Sequence, residues 1–336
     1  MGLIMLIADF DYELPEGLIA MYPPEVRGGS RLLVLDRKSG ELTDSAYKKF
    51  ANFLRPGDLL VLNDTRVMRS RLAAKLADGR ERELVVLERH GGELDQVMYR
   101  GKLHVGDILF VGETKIVVKN ILGNGIAEVS CDISLDELAE EYGEVPLPPY
   151  MGRDAEVEDA LRYQTVWARQ TGSAAAPTAS LNMTEELLEE IKENGVEVAY
   201  LTLHVGLGTF LPIRSELVEE HTMHSEWFDL PRTTVEAIRR TKLKGGRVVA
   251  LGTTVARTLE YWRKTGKTRG EDDIFIYPGF EFGVVDALLT NFHAPRSTVL
   301  MLTAAFAGWD KLKNAYEHAV EQKYSFLSYG DSMLIC

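Results

Sequence analysis

Cysteine is nearly absent: Cys131 and Cys336 are the only two in 336 residues, and no Cys-x-x-Cys motif occurs. A disulfide framework is therefore excluded, and a reducing, cytoplasmic setting is expected. Long apolar runs are missing from the N-terminus, where Leu3–Ala8 stops after six residues and carries no basic flank. That is shorter than a signal-peptide core and far short of the roughly 20 residues of a membrane span, so a soluble chain with no membrane partner is expected. Internal repeats and low-complexity tracts are absent as well. Cations are outnumbered, 38 Lys+Arg against 51 Asp+Glu for a formal net charge of −13. Taken as a total, that deficit argues against nucleic acid as a partner, because phosphate binding rests on Lys and Arg. What remains is ordinary for a globular protein, 45% hydrophobic and 26% charged, enough for a sizeable core.

The pattern along the chain changes twice. Arg31–Asp36 reads as a buried strand, Thr43–Leu54 has helical spacing, and Leu59–Leu62 reads as a second strand after the Gly57-Asp58 turn. From about residue 66 to 150, short alternating segments (Glu83–Glu88, Asp107–Val111, Lys115–Lys119) are separated by glycine turns and point to a small antiparallel barrel or sandwich. Beyond residue 175, helical Thr184–Asn194, Thr233–Lys242 and Val255–Trp262 precede the strand-like Val196–Leu203, Arg247–Leu251 and Ile274–Tyr277 in turn, and Ser297–Gln322 reads as two helices. This alternation implies a three-layer α/β core with a largely parallel sheet. The two ends of the chain, 1–62 and 151–336, would build that domain, with an antiparallel β-barrel domain inserted at 63–150.

Four strings carry chemistry. Gly252-Thr253-Thr254 sits between a strand and a helix, where free backbone N–H groups and two hydroxyls would bind a carboxylate or phosphate, or simply cap the helix. His204 opens a glycine-rich loop with Gly206, Gly208, Thr209 and Phe210. The loop lacks a third glycine, and Pro212 interrupts any following helix, so it is not a dinucleotide fingerprint. His204 is a site candidate or a hydrogen-bonded core histidine. His221, His224 and Glu226 fall within six residues and suit proton handling, or a metal if a fourth ligand came from elsewhere; the spacing does not match the His-Glu-x-x-His pattern. Asn291-Phe292-His293 with Arg296 looks like a pocket rim. Charge is segregated: residues 232–269 hold eleven cations against Glu236 and Glu260, whereas 105–160 hold three cations against thirteen acids. A basic face is thus compatible with a negative total.

Read together and in order, these strings resemble one family, the S-adenosylmethionine:tRNA ribosyltransferase-isomerases of queuosine biosynthesis. The resemblance is carried by Phe10–Pro15, Ser30–Asp36, Gly57–Arg66, Tyr163–Thr165, Ala176–Ala179, His204–Phe210, Glu220–Glu226, Gly252–Thr254, Asp273–Phe306 and Ser328–Asp331. Asp64 and Asn182 depart from residues common there (Asn and His), and no catalytic duty is assigned to position 182. The resemblance implies an α/β core with an inserted barrel, and a monomer without a permanent cofactor or metal. It implies that S-adenosylmethionine is a co-substrate whose ribosyl portion is moved onto 7-aminomethyl-7-deazaguanine at the tRNA wobble position and isomerised, releasing adenine and methionine. His204, His224, His293 and Glu226 are then the expected proton-transfer residues. Gly206, Gly208, Thr209, Gly252, Thr253, Thr254 and Asn291 are expected to bind the donor, with Glu226, Phe210 or Tyr277 facing the sulfonium. Asn63, Arg66, Arg71 and Arg257 are expected to meet tRNA, alongside Arg69 and the 232–269 run. Two other readings stay open on the residues alone, a metal-dependent hydrolase or deaminase built on His221, His224 and Glu226, and a non-catalytic RNA-binding barrel.

Overall fold

The computed structural model describes residues 5–87, 94–123, 125–206, 213 and 215–336. In chain order the strands are β1 (Arg31–Leu35), β2 (Leu42–Ala46), β3 (Leu59–Asn63), β4 (Thr65–Val67), β5 (Arg71–Leu76), β6 (Glu81–Val86), β7 (Asp95–Tyr99), β8 (Ile108–Val111), β9 (Thr114–Gly123), β10 (Ile126–Cys131), β11 (Gln170–Ser173), β12 (Glu197–Leu203), β13 (Glu226–Asp229), β14 (Val248–Leu251), β15 (Arg269–Asp272), β16 (Ala287–Asn291) and β17 (Ser332–Ile335). The α-helices are α1 (Leu135–Tyr142), α2 (Asp159–Arg162), α3 (Glu185–Glu193), α4 (Arg232–Leu243), α5 (Thr253–Thr265), α6 (Thr298–Ala307) and α7 (Trp309–Glu321).

Nine strands form one sheet in the order β15-β13-β12-β3-β14-β16-β17-β1-β2. Its centre is made of continuous apolar runs because both faces are covered. In β3, Leu59 and Val61 point into the core under α4–α7, while Leu60 and Leu62 face the other side, under α3 and the 3-10 helix Tyr47–Phe53. The period of two thus divides one run between two cores and gives three layers. The pairings are mixed. Four are parallel and four antiparallel, so the largely parallel sheet expected from the alternation is corrected.

Two local expectations change for a related reason. The first four residues of Thr43–Leu54 belong to the edge strand β2, antiparallel to β1, and the longer remainder, Tyr47–Phe53, is a 3-10 helix in place of the expected α-helix. Ile274–Tyr277 is not a strand. Ile274 and Ile276 are buried in the core, but the strand is the polar segment β15 just before them, which adds to the sheet edge beside β13. Backbone pairing, not apolarity, makes an edge strand.

Strands β5–β10 close into a six-stranded antiparallel barrel. In β5, Leu72, Ala74 and Leu76 point inward and alternate with solvent-facing Ala73 and Lys75. Helix α1, which the pattern did not announce, covers the barrel with Leu135, Leu138 and Ala139 after a Ser134 cap. The parallel β4–β11 pair leads from β3 toward the barrel. No helix among the described residues is long and apolar enough to cross a membrane.

Candidate active site

A cavity of about 1050 Å³ opens at the carboxyl ends of the central strands, with Val205 beyond β12, Gly252–Thr254 beyond β14 and Asn291 ending β16 on its wall. This is where open α/β sheets bind ligands, because the loops and helix starts there leave polar backbone unpaired. Gly252 takes φ +100°, a backbone conformation that favours glycine, and its N–H donates to the Leu289 carbonyl at 2.8 Å. That turn points the first N–H groups of α5 toward the cavity, and no side chain caps them. The start of α6 lies on the same cavity, although there Ser297 accepts from the Leu300 N–H at 3.2 Å. Two positive helix ends therefore converge on one space.

Asn291 is 1% exposed; its Oδ1 accepts from the Thr178 hydroxyl at 2.8 Å, and its Nδ2 has no partner among the described residues. An unsatisfied buried amide on a cavity wall is a donor held ready for a ligand. His293 lines the same wall, with Nε2 2.8 Å from the Thr290 hydroxyl. Its backbone is held by Tyr316 and Tyr12. Burial pushes its pKa down to about 3, so the ring is neutral. With Nε2 engaged by Thr290, Nδ1 is the nitrogen left to face a ligand. His224 and His221 also line the cavity, His224 exposed and His221 edge-to-face with Phe275 at 5.1 Å; burial and then the neighbouring His224 lower the His221 pKa.

Glu226 and Arg257 form the charged part of the wall. Arg257 donates to Glu226 Oε2 at 2.7 Å and to the His224 carbonyl at 3.1 Å, and Glu226 Oε1 accepts from the Gly206 N–H at 2.9 Å. Behind them Arg257 meets Asp272, by a hydrogen bond to its carbonyl and an Nε–Oδ1 separation of 3.5 Å. Asp272, which sequence reasoning missed, is fully buried, and burial raises its pKa to about 6 against the opposing pull of Arg257. Nothing in Glu271-Asp272-Asp273 marks the middle acid as the buried one. Among the described residues no group of three or more His, Cys, Asp and Glu is arranged to hold a metal. Within the His221–Glu226 string, the Glu226 oxygens are instead bound by a guanidinium and a backbone amide.

Several expected site residues lie elsewhere. His204 does not reach the cavity. It is buried, stacked on Trp227 at 5.1 Å, with Nδ1 2.8 Å from the Thr65 hydroxyl, and burial lowers its pKa to about 4. The structure thus places His204 in the core, away from the cavity where proton transfer was expected of it. Asn63 is also internal, donating to the Leu203 carbonyl at 3.0 Å and accepting from the Leu203 N–H at 3.1 Å, which leaves it no surface to offer tRNA. Arg257 is equally buried and lies on the cavity wall, not on the outer surface. Arg71 is held by Glu83 at 2.7 Å, whereas Arg66 and Arg69 are exposed. Gly206 contributes its N–H to Glu226, and Tyr277 is not on the cavity wall, where Phe275 stands instead. Gly208, Thr209 and Phe210 lie outside the described residues.

The family model described as "Queuosine biosynthesis protein" matches residues 7–335. The chain belongs to that family. Among its relatives, proteins named S-adenosylmethionine:tRNA ribosyltransferase-isomerase from Pelodictyon phaeoclathratiforme and Halothermothrix orenii are 55% and 49% identical, each over 98% of this chain and 100% of the relative. The crystal structure of S-adenosylmethionine tRNA ribosyltransferase from Thermotoga maritima aligns with a TM-score of 0.57 at 36% identity, covering 98% of this chain and 100% of that one. The protein is therefore an enzyme, a transferase-isomerase of queuosine biosynthesis.

The basic run of the enzyme is largely consumed by internal pairing. Arg240 pairs with Glu197, Lys242 with Asp286 at 2.6 Å, and Arg247 with buried Asp58 at 2.6 Å, carboxylates that lie far away in sequence. Its net charge of +9 in sequence is therefore a poor measure of the field it presents outside.

The position of His204 has a measurable consequence. A histidine whose folded pKa is near 4 against about 6.5 unfolded binds its proton less well when folded, so its stabilising contribution is present above pH 6.5 and is lost as pH falls toward 4. Within that window His204 should add about 1.4 kcal/mol of stability per pH unit. In His204→Gln, urea midpoints measured from pH 4 to 7 should lose that slope while turnover stays within about threefold of wild type. A turnover loss of about a hundredfold, with the fold intact, would return His204 to the chemistry.

Proposed function

We propose that the enzyme transfers and isomerises the ribosyl moiety of S-adenosylmethionine onto 7-aminomethyl-7-deazaguanine at the wobble position of tRNA, giving epoxyqueuosine and releasing adenine and methionine. The observation that carries this reading is the cavity. Its volume of about 1050 Å³ sits at the upper end of the usual range for small-molecule sites, room for an adenosyl–amino acid donor together with a base from a single-stranded anticodon loop. The relatives' shared name supplies the reaction class.

The chemistry has a place for each group. The donor's methionyl carboxylate suits the uncapped start of α5 at Thr253 and Thr254. The Asn291 Nδ2 donor can meet an acceptor on the adenine or on the incoming base. A sulfonium acidifies the ribose carbon beside it, so a deprotonated base is required; an imidazole or a carboxylate serves, and burial keeps the His293 ring unprotonated. His224 at the rim and Glu226 beneath it complete the proposed proton-handling set, and the sulfonium would lie toward Glu226 and the Phe275 ring.

The reaction is tested by incubating the protein with tRNA bearing the aminomethyl base and with S-adenosylmethionine, then quantifying free adenine and methionine. The expected result is one of each per modified tRNA; donor consumption with S-adenosylhomocysteine as product, or none at all, overturns the reading. For tRNA binding, exposed Arg66 and Arg69 are the proposed contacts. Changing either to Gln should reduce the slope of log affinity against log salt by about 0.7–0.9, whereas Arg239→Gln on α4 should leave it unchanged.

A further inference from the structure

The charged wall of the cavity holds one cation between two carboxylates. Glu226 and Asp272 are cross-strand neighbours in the β13–β15 pair, and Arg257 from α5 reaches both. All three are buried, and taken as ionised they sum to one excess negative charge. Glu226 and Arg257 line the cavity, and Asp272 lies behind them. The Asp272 end is the loosely satisfied one. Oδ1 accepts from the Ile274 N–H at 3.0 Å, while Oδ2 and Arg257 Nε have no hydrogen-bond partner among the described residues.

Among the described residues, no cation besides Arg257 meets Asp272. Asp273 adjoins it, and Glu271 accepts from Ser225 on the outer side. His221 and His224 precede β13, and His224 touches the cluster through its carbonyl, bound to Arg257. One helical turn along α5, Glu260 is occupied by the N–H groups of residues 283–285. Arg269 stands at the far end of β15, 4.0 Å from Asp229.

We propose that Asp272, acting through Arg257, matches the cavity wall to the donor's positive charge: in mildly acidic solution the Glu226–Arg257–Asp272 cluster is partly protonated while the cavity is empty, and it releases that proton to solvent when a cationic donor enters. Asp272 is a positioning residue in this scheme, since it touches no substrate. The proposal rests on the reading that the donor is the sulfonium S-adenosylmethionine. Its physical basis is that a positive charge placed on a buried wall favours the ionised carboxylate, whereas a neutral thioether of the same shape does not. The raised pKa of Asp272, about 6, puts this exchange within reach of neutral pH. Binding and deprotonation then promote one another by linkage.

The test is titration calorimetry at pH 6 in two buffers of different ionisation enthalpy, with tRNA carrying guanine at the wobble position so that no amine is present to react. Wild-type enzyme should release about 0.5 proton on binding S-adenosylmethionine, and less than about 0.1 on binding S-adenosylhomocysteine, its neutral thioether. Asp272→Asn should abolish the release and reduce the preference for the cationic ligand about tenfold. Glu226→Gln approaches the cluster from the cavity side and should also suppress the release, which keeps the test decisive if Asp272→Asn fails a melting check. Equal release with both ligands, or release that persists in Asp272→Asn, overturns the proposal. If S-adenosylmethionine does not bind wild type with or without tRNA, the donor reading itself falls and takes this inference with it.

Discussion

Arg257→Met is expected to destabilise the fold by about 3–5 kcal/mol, because it leaves two buried carboxylates with no cation between them. Arg257 is 6% exposed, and its guanidinium serves Glu226 at 2.7 Å on one side and the carbonyls of His224 and Asp272 on the other. Methionine keeps the length of the stem and the packing on α5 but supplies no donor. The loss would be a large share of the 5–15 kcal/mol that usually separates folded from unfolded chains. Arg257→Lys should recover only part of it, since one ammonium cannot reproduce a planar fork that points to three acceptors. The defect should also shrink in acid, where the stranded carboxylates protonate. Urea midpoints for the three proteins at pH 7 and pH 5 decide this; a loss below about 1 kcal/mol at pH 7 would mean that the cluster does not hold β13, β15 and α5 together.

The second large effect is expected at His293. If it removes the proton made acidic by the sulfonium, His293→Ala should lower the single-turnover rate about 10²–10⁴-fold. The affinity for S-adenosylmethionine should change far less, because the proposed donor contacts come from the start of α5 and from Asn291. The ring is held by Thr290 and the backbone by Tyr316 and Tyr12, so position and chemistry can be separated. Thr290→Val removes the Nε2 partner and leaves the ring in place; a milder loss is expected there than in His293→Ala. Single-turnover rates with saturating modified tRNA provide the measurement, and a His293→Ala rate within threefold of wild type would exclude His293 as the base.

Much of the enzyme could be read from residue order. The apolar runs of β1, β3, β12 and β14, the helices α3 to α7 and the small barrel follow from period and turn chemistry, which are local properties. The Gly252-Thr253-Thr254 junction was legible for the same reason, since a glycine between a buried strand and a helix start has few other uses. The histidines were another matter. His204, His224 and His293 all sit in ligand-like strings, yet one is stacked on Trp227 away from the cavity, one is at the rim and one is on the wall. Position within a string does not state which neighbours fold over it. Asp272 was invisible because its two acidic neighbours share its chemistry and only packing separates the three.

The same division runs through the charge. Linear order was enough to establish an α/β protein with a β-rich insertion, its family and the segregation of acidic from basic stretches. It could not tell which cations are free. Arg247 with Asp58, Lys242 with Asp286 and Arg257 with Glu226 and Asp272 are pairs made by elements distant in sequence, and each removes a cation from the face that the run of +9 seemed to offer. Secondary structure is written in spacings of two to four residues, so it survives in the linear string. Burial, ion pairing and pKa depend on which surfaces meet across the sheet, and those are decided only when the chain closes on itself.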